Sequence, residues 1–330
     1  SWWISGPLGS SWARSSGVMG WGLSSGPVVS EFSLGFRVNI MVPIPASRRN
    51  ATAVWGLSGR ARDRVQQLPA NACNITPPTT HPSARNPSGM PAPDDTPARL
   101  LAPYHDLRDE AVCISAEQGS RFAKTVAGDH NPLHDADAPR FCVPGDLLFA
   151  LIAARYGLAT CLQLTFRGML RADTPLRFPA QPDEQFSITD LDGREYVTAR
   201  RTEPIEAPAA AQRHLIEAYV ACSGQTFPDL MVPLLRSHDV MFNPDRPLVV
   251  YDRMEIRLSA PPARTPRMQL SDSSLTVSGK RGDARFDYAI MDGDEAIGSC
   301  CKQMVVSGLR PYDGERMAAM VARYRTAIGG

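Results

Sequence analysis

The sequence has little of what marks a protein that binds nucleic acid or a membrane. Its 330 residues carry a formal net charge of +1, and no run of Lys and Arg stands out in the sequence. No basic block is therefore available to hold nucleic acid or an anionic lipid surface. The most apolar early stretch, "VVSEFSLGFRVNIMVPIPA", is interrupted by Glu31 and Arg37 and is too polar to span a bilayer. We expect no nucleic-acid partner and no membrane partner.

Cysteine usage excludes two further classes of protein. The seven cysteines are odd in number and contain no C-x-x-C pair, so neither a disulfide framework nor a zinc knuckle is indicated. Hydrophobic residues make up 43% of the chain, which is enough for a large packed core. These features favour a globular protein of the reducing cytoplasm.

Residues 1–89 differ from the remainder of the chain. All five tryptophans lie there among Ser, Gly, Pro and Arg, without helical or strand periodicity. The segment "MPAPDDTPARLLAPYHDL", which begins at Met90, resembles a natural start. We predict that residues 1–89 form a disordered or mis-annotated N-terminal extension, with a docking segment as the alternative.

Two helices are well indicated beyond residue 112. Ser115 and Gln118 have the spacing of a capping box, and Gly128 suits a left-handed C-terminal position, which predicts a helix over 116–127. The run "DLLFALIAARYGL" is apolar on nearly every side and predicts a helix buried all round over 145–158, ended by Gly157.

Strand-like segments follow this second helix. "QLTFRGML", "TPLRFPA", "EQFSITDLDG", "REYVTARRT" and "HLIEAYVACSG" predict an antiparallel meander, and further strands are expected between residues 250 and 308. A terminal helix is predicted near 314–326. The pattern of a helix followed by strands occurs twice, which indicates a structural repeat.

The segment "AGDHNPLHDADA" contains the candidate chemistry. Gly128, Asn131 and Pro132 have ordinary structural duties as helix terminator, N-cap and first helical residue. Asp129 and His134 have no such duty. The helix dipole opposes a carboxylate at a helix C-terminus, and an imidazole in the next turn has no obvious capping role. Facing one pocket, they would form an acid/base pair able to hold a water, whereas a satisfied structural hydrogen bond is the alternative.

This motif resembles the signature of MaoC-like enoyl-thioester hydratases and dehydratases. The longer run "FAKTVAGDHNPLHDADAPRFCVPGDLLFAL" is even more similar to an uncharacterised proteobacterial family related to them. The resemblance covers residues 112–225 well and the later half by architecture alone. It implies an α+β double hot-dog fold, with two antiparallel sheets each wrapped around a helix and the second helix degenerate. The implied units are a motif-bearing repeat over 90–225 and a non-catalytic repeat with a C-terminal helix over 226–330.

The resemblance also implies roles for single residues. Asp129 and His134 would activate water for hydration of an enoyl thioester, or catalyse the reverse dehydration, with Asn131 orienting them. The backbone N–H of Gly145 would receive the thioester oxygen. The implied substrate is a thioester of coenzyme A or acyl carrier protein, as in fatty-acid metabolism, with no metal and no organic cofactor. A homodimer is a further expectation.

The chain departs from the family pattern around Gly145. "PGD" stands where His-Gly-Met is usual, so Pro144 and Asp146 replace His and Met. At the amino end of the helix, the Asp146 carboxylate would interact favourably with the helix dipole. If it pointed into the pocket, its negative charge would oppose an enolate. A non-catalytic module that binds an acyl thioester or a protein partner is therefore the alternative function.

Three further histidines and four arginines are expected to be structural or surface groups, with phosphate binding open to the arginines. They are His105, His214, His238, Arg140, Arg155, Arg167 and Arg171.

Overall fold

The computed structural model describes residues 95–329, so the prediction for residues 1–89 lies outside the described residues. The helices are α1 Pro97–Leu101, α2 Ala116–Phe122, α3 Gly145–Tyr156, α4 Ala209–Gln225, α5 Val232–Arg236 and α6 Gly314–Gly329. Short 3₁₀ turns cover Ala102–Tyr104 and Pro132–His134, and π-helical turns cover Ala123–Ala127 and Thr226–Met231. No helix within this described part is long and apolar enough to cross a membrane.

Helix α2 begins where its sequence predicts, and the π-helical turn that follows carries the helix to the predicted end at residue 127. Ser115 Oγ accepts from the Gln118 N–H at 3.2 Å, and Gln118 Oε1 accepts from the Ser115 N–H at 2.9 Å, which completes the capping box. The last turn, Ala123–Ala127, is π-helical, and Gly128 follows with a φ of 64°. This left-handed glycine turns the chain into the candidate motif.

The predicted helix at 145–158 is also confirmed. It runs over Gly145–Tyr156, and every residue from Asp146 to Ala153 is buried. Gly157, with a φ of 79°, ends it. A helix buried on all faces needs apolar partners all round, and α3 obtains them from the sheet and from α4.

The strands form one large antiparallel sheet and two short two-stranded ribbons. Their bounds are β1 Asp106–Arg108, β2 Ala111–Cys113, β3 Leu158–Ala159, β4 Cys161–Phe166, β5 Leu176–Arg177, β6 Gln185–Asp190, β7 Glu195–Arg201, β8 Pro204–Ile205, β9 Val240–Met241, β10 Leu248–Leu258, β11 Arg267–Ser278, β12 Arg281–Asp292, β13 Glu295–Ser307 and β14 Arg310–Pro311. The large sheet has ten strands in the order β1-β2-β5-β6-β7-β4-β10-β13-β12-β11.

The pairing of β4 with β10 joins the two halves of the sheet. Met254 lies opposite Leu164 and Ile256 opposite Leu162, and all four side chains are buried. One continuous core therefore extends beneath both halves, with α3 and α4 packed together on its inner face.

The strand predicted at "HLIEAYVACSG" is wrong, because these residues belong to α4. Leu215, Ile216, Tyr219, Val220 and Cys222 are all buried, and their spacing of three and four residues is that of one helix face. The β-branched and aromatic letters favoured a strand, but the helical period decides.

The α+β double hot-dog class is confirmed, with an antiparallel sheet wrapped around two helices. Two details differ from the prediction. The two sheets are fused into one through β4 and β10. A second long helix, α4, with 17 residues against 12 in α3, lies at the end of the predicted first repeat, where a strand was expected.

Candidate active site

The turn after α2 fixes the Asp129 carboxylate. Ala123 O accepts from the Gly128 N–H, which closes the π-helical turn, and also from the Asp129 N–H at 2.8 Å. The Asn131 N–H donates to Asp129 Oδ1 at 2.9 Å, while Asn131 Oδ1 accepts from the Leu133 N–H at 3.1 Å. Asn131 thus orients Asp129 with its backbone and caps the 3₁₀ turn at Pro132–His134 with its side chain.

The His134 ring is held by a backbone carbonyl on its other side. His134 Nδ1 lies 2.7 Å from Cys142 O, and because a carbonyl only accepts, Nδ1 carries the hydrogen. In the neutral ring Nε2 then presents a lone pair. Nε2 lies 3.7 Å from Asp129 Oδ2, so the two side chains converge as the sequence predicts.

Both members of the pair are shielded from solvent. Their side chains expose 13% for His134 and 21% for Asp129. Burial raises the pKa of the Asp129 carboxyl, while the neighbouring His134 opposes that rise. A raised pKa makes this carboxylate a stronger proton acceptor than an ordinary aspartate.

A tyrosine from the C-terminal helix completes this side of the site. Tyr324 Oη accepts from the His130 N–H at 3.2 Å and donates to Gly224 O at 3.2 Å. Burial, followed by the charge of Asp129, raises the pKa of Tyr324. The phenol therefore stays protonated and links the motif to α4 and α6.

The pair faces a cavity of about 590 Å³, a size typical of small-molecule sites. Asp129, Asn131, His134, Gly145 and Asp146 all line it. Its apolar wall comes from both halves of the sheet and from α3, and includes Leu148, Phe166, Met169, Leu170, Phe242, Val249, Tyr251 and Met304. The site is thus polar at the motif and apolar beyond it.

The amino end of α3 opens on this cavity. No side chain caps it, and within the described part of the chain the Gly145 N–H has no hydrogen-bond partner. A Cβ at residue 145 would lie 2.8 Å from Tyr251 Cδ1 and 3.2 Å from Phe166 Cε1, two rings that stack with centroids 4.8 Å apart. Glycine is required here by space, and its N–H is free because residue 145 begins α3.

Asp146 lies on the cavity wall, but its charge is paired. Asp146 Oδ2 accepts from Ser223 Oγ at 2.5 Å, and Oδ1 is 3.5 Å from Lys302 Nζ. Lys302 also donates to Ser223 Oγ at 2.8 Å. We call Asp146, Ser223 and Lys302 the charge cluster. Asp146 therefore lies both at the amino end of α3 and on the cavity wall.

The other sequence candidates do not join the site. His105 Nδ1 bonds Leu101 O at 3.0 Å, and His238 Nδ1 bonds Leu234 O at 3.0 Å. His214 Nε2 is 3.5 Å from Asp95. Arg140, Arg155, Arg167 and Arg171 are absent from the described residues that line the cavity, whose cationic members are Lys124 and Arg323.

Sequence reasoning missed Ser223, Lys302 and Tyr324. Only Lys302 left a signal: it alternates on β13 with Cys300, which is buried, and a lone lysine on an inward-facing row needs a partner. Ser223 and Tyr324 sit in helices and meet the motif only through tertiary packing. No group of three or more His, Cys, Asp or Glu side chains among residues 95–329 could hold a metal ion.

Comparisons with known proteins identify one family and several structural neighbours. A family model described as "Protein of unknown function (DUF3581)" matches residues 99–315. No curated protein matches the chain.

Three of the similar solved structures belong to proteins with different names. A conserved hot-dog protein from Alicyclobacillus acidocaldarius is 12% identical, with 66% of this chain and 98% of that chain covered and a TM-score of 0.36. Acyl-CoA thioesterase II TesB2 from Mycobacterium marinum is 12% identical, with 65% and 98% covered and a TM-score of 0.34. A MaoC-like dehydratase is 11% identical, with 62% and 98% covered and a TM-score of 0.33. The reaction must therefore be argued from this chain's own residues.

Proposed function

We propose that this chain, which belongs to the family described as "Protein of unknown function (DUF3581)", binds an acyl thioester and adds water to, or removes it from, the 2,3 bond of the acyl group. One observation carries the proposal: Asp129 Oδ2 and His134 Nε2 lie 3.7 Å apart on the wall of a cavity large enough for an acyl chain. A water or hydroxyl can contact both atoms at once.

The pair suits hydration because its proton count balances. Hydration takes one proton from water as oxygen bonds to the β carbon, and it delivers one proton to the α carbon. If the pair begins with one proton between Nε2 and Oδ2, the unprotonated group accepts from water and the protonated group donates to carbon. One proton is again shared at the end, so the pair is ready for another turnover.

The free N–H of Gly145 is the proposed site for the thioester oxygen. That oxygen becomes negative as water attacks the β carbon, or in the reverse reaction as the α carbon is deprotonated, and an N–H at the positive end of α3 stabilises it. Removing a donor of this kind typically costs about 10²-fold or more in rate.

The apolar wall is proposed to hold the acyl tail. In this proposal the repeat over 90–225 supplies Asp129, His134 and Gly145, and the repeat over 226–330 supplies non-catalytic wall residues such as Phe242 and Met304. The carrier is coenzyme A or acyl carrier protein. A cytoplasmic location and a homodimer stay predictions.

A non-catalytic module is the second candidate. The observation in its favour is the Asp146 carboxylate, which lies on the cavity wall next to Gly145. The MaoC-like pattern that the motif resembles has methionine at this position. Such a module would bind an acyl thioester or a protein partner and leave the thioester unchanged.

The test follows the ultraviolet absorbance of the enoyl group. The full chain is mixed with crotonyl-CoA and with longer trans-2-enoyl-CoA thioesters, and loss of the conjugated absorbance is recorded. Asp129→Asn and His134→Ala are expected to lower the rate by at least about 10²-fold. Arg140→Ala, on a side chain outside the cavity, serves as the matched control. Binding without loss of absorbance supports the module, and an active wild type with active Asp129 and His134 variants rules out the proposed pair.

A further inference from the structure

Lys302 is a charged side chain placed where charge is costly. It exposes 0% of its surface, and its strand neighbours in register are Met254 and Phe286, which are also fully buried. An isolated ammonium in such surroundings would be strongly unfavourable. The chain therefore surrounds it with acceptors.

The ammonium is satisfied on three sides. Nζ donates to Ser223 Oγ at 2.8 Å and to Tyr219 O at 3.3 Å, and it lies 4.1 Å from the centre of the Tyr219 ring. The only carboxylate in the charge cluster, that of Asp146, lies 3.5 Å away. These partners all suit a cation, so the cluster holds one positive and one negative charge.

The cluster borders the proposed oxygen site without entering the reaction. Asp146 and Ser223 line the cavity, whereas Lys302 lies behind them and is not among its lining residues. Asp146 directly follows Gly145, and Asp129 lines the same cavity. Without Lys302, two carboxylates would face any negative oxygen held at the Gly145 N–H.

We propose that Lys302 is a positioning residue that cancels the charge of Asp146 through Ser223, so that the amino end of α3 accepts an anionic oxygen. The inference rests on the proposed function for its meaning, because the anionic oxygen is the enolate-like oxygen of the thioester. Its electrostatic content can be measured without any turnover. A carboxylate is tolerated at position 146 because the buried ammonium of Lys302 balances its charge.

The test compares an anionic probe with a neutral probe of the same length. Octanoate and octanamide differ in charge at the polar end, and their binding to the full chain is measured by isothermal titration calorimetry. Lys302→Met leaves a net negative cluster, and Asp146→Asn leaves a net positive one. The ratio of octanoate to octanamide affinity is expected to fall at least about tenfold in Lys302→Met and to rise in Asp146→Asn.

The double variant Asp146→Asn/Lys302→Met separates charge from packing. It carries no net charge in the cluster, so its affinity ratio is expected to return to within about threefold of the wild-type ratio. Thermal unfolding of each variant confirms that it is folded. If Lys302→Met does not fold, two results still test the inference. The affinity ratio should rise in Asp146→Asn, and it should return toward the wild-type ratio in the double variant.

Three results would overturn the inference. These are single variants that shift the ratio in the same direction, variants that change both probes equally, and a wild-type chain that does not bind octanoate. If the affinity ratios change as expected but the chain does not hydrate enoyl-CoA, the electrostatic role of Lys302 stands and the proposed reaction is wrong.

Discussion

Replacing Gly224 by alanine tests whether α4 supports the motif turn directly. A Cβ at residue 224 would lie 2.5 Å from the carbonyl carbon of Gly128 and 2.7 Å from Ala127 O. These are main-chain atoms, which cannot rotate away as a side chain can. Because Gly128 precedes Asp129, the turn would have to move with its catalytic candidate.

The expected stability change has the opposite sign to the usual one. Gly→Ala inside a helix normally stabilises by about 1 kcal/mol. Overpacking of a rigid contact costs about 1 to 3 kcal/mol, and the backbone contacts here favour the upper end. The net loss is about 2 kcal/mol, which lowers the Tm of a domain of this size by about 4 to 8 °C.

Circular dichroism of the full chain during heating measures this change. Gly314→Ala is the matched control, because Gly314 begins α6 and the nearest atom to its Cβ would be Tyr312 Cε1 at 3.8 Å. The control is expected to melt at or slightly above the wild-type temperature. A Gly224→Ala protein that melts no lower than wild type would refute the close approach of α4 to the motif.

Three further changes have distinct expected outcomes. Burial raises the pKa of Asp129 above the ordinary 3.8. The protonated carboxyl therefore stabilises the folded state fully below that pH, and this stabilisation is lost as pH rises through the folded-state pKa. The Asp129→Asn side chain does not titrate, so the variant does not lose this stabilisation. Its free energy of unfolding, measured with urea, should rise relative to that of wild type as pH is raised from about 4 to about 7. Gly145→Ala forces the Tyr251 ring to move and should lower kcat/KM for enoyl-CoA by about tenfold or more. Tyr324→Phe loses the hydrogen bond that the His130 N–H donates and should lower the Tm by about 2 to 4 °C.

Each of these outcomes has a clear opposite. A constant difference between Asp129→Asn and wild type at all pH values would mean that burial does not shift this carboxyl. A Gly145→Ala variant with unchanged kcat/KM would mean that the thioester oxygen does not bind at the Gly145 N–H. An unaltered Tm in Tyr324→Phe would mean that the phenol does not tie α6 to the motif, and Tyr312→Phe provides the comparison on a tyrosine outside the cavity lining.

The local parts of the fold could be predicted because their causes are local. The capping box of Ser115 and Gln118, the left-handed Gly128 and the buried helix α3 depend on residues within one or two turns of each other. Asp129 and His134 converge for the same reason, since only a short Asn-Pro turn separates them. The segment that became α4 was misjudged because its β-prone residue types outweighed its helical spacing.

The rest of the site depends on contacts between distant residues. Ser223 meets Asp146 across 77 positions, and Lys302 meets it across 156. Tyr324 meets His130 across 194. No periodicity in the sequence reports such pairings, so the charge of Asp146 could be interpreted only after the sheet had placed Lys302 behind it.

The identity of the product tests the central claim most directly. The full chain is incubated in D₂O with a trans-2-enoyl-CoA thioester, and the products are analysed by NMR and mass spectrometry. The account predicts a 3-hydroxyacyl thioester with one deuterium on the α carbon, which forms with wild type and fails to form with Asp129→Asn or His134→Ala. Free coenzyme A with an unhydroxylated enoic acid, or an enoyl thioester recovered unchanged, would contradict it.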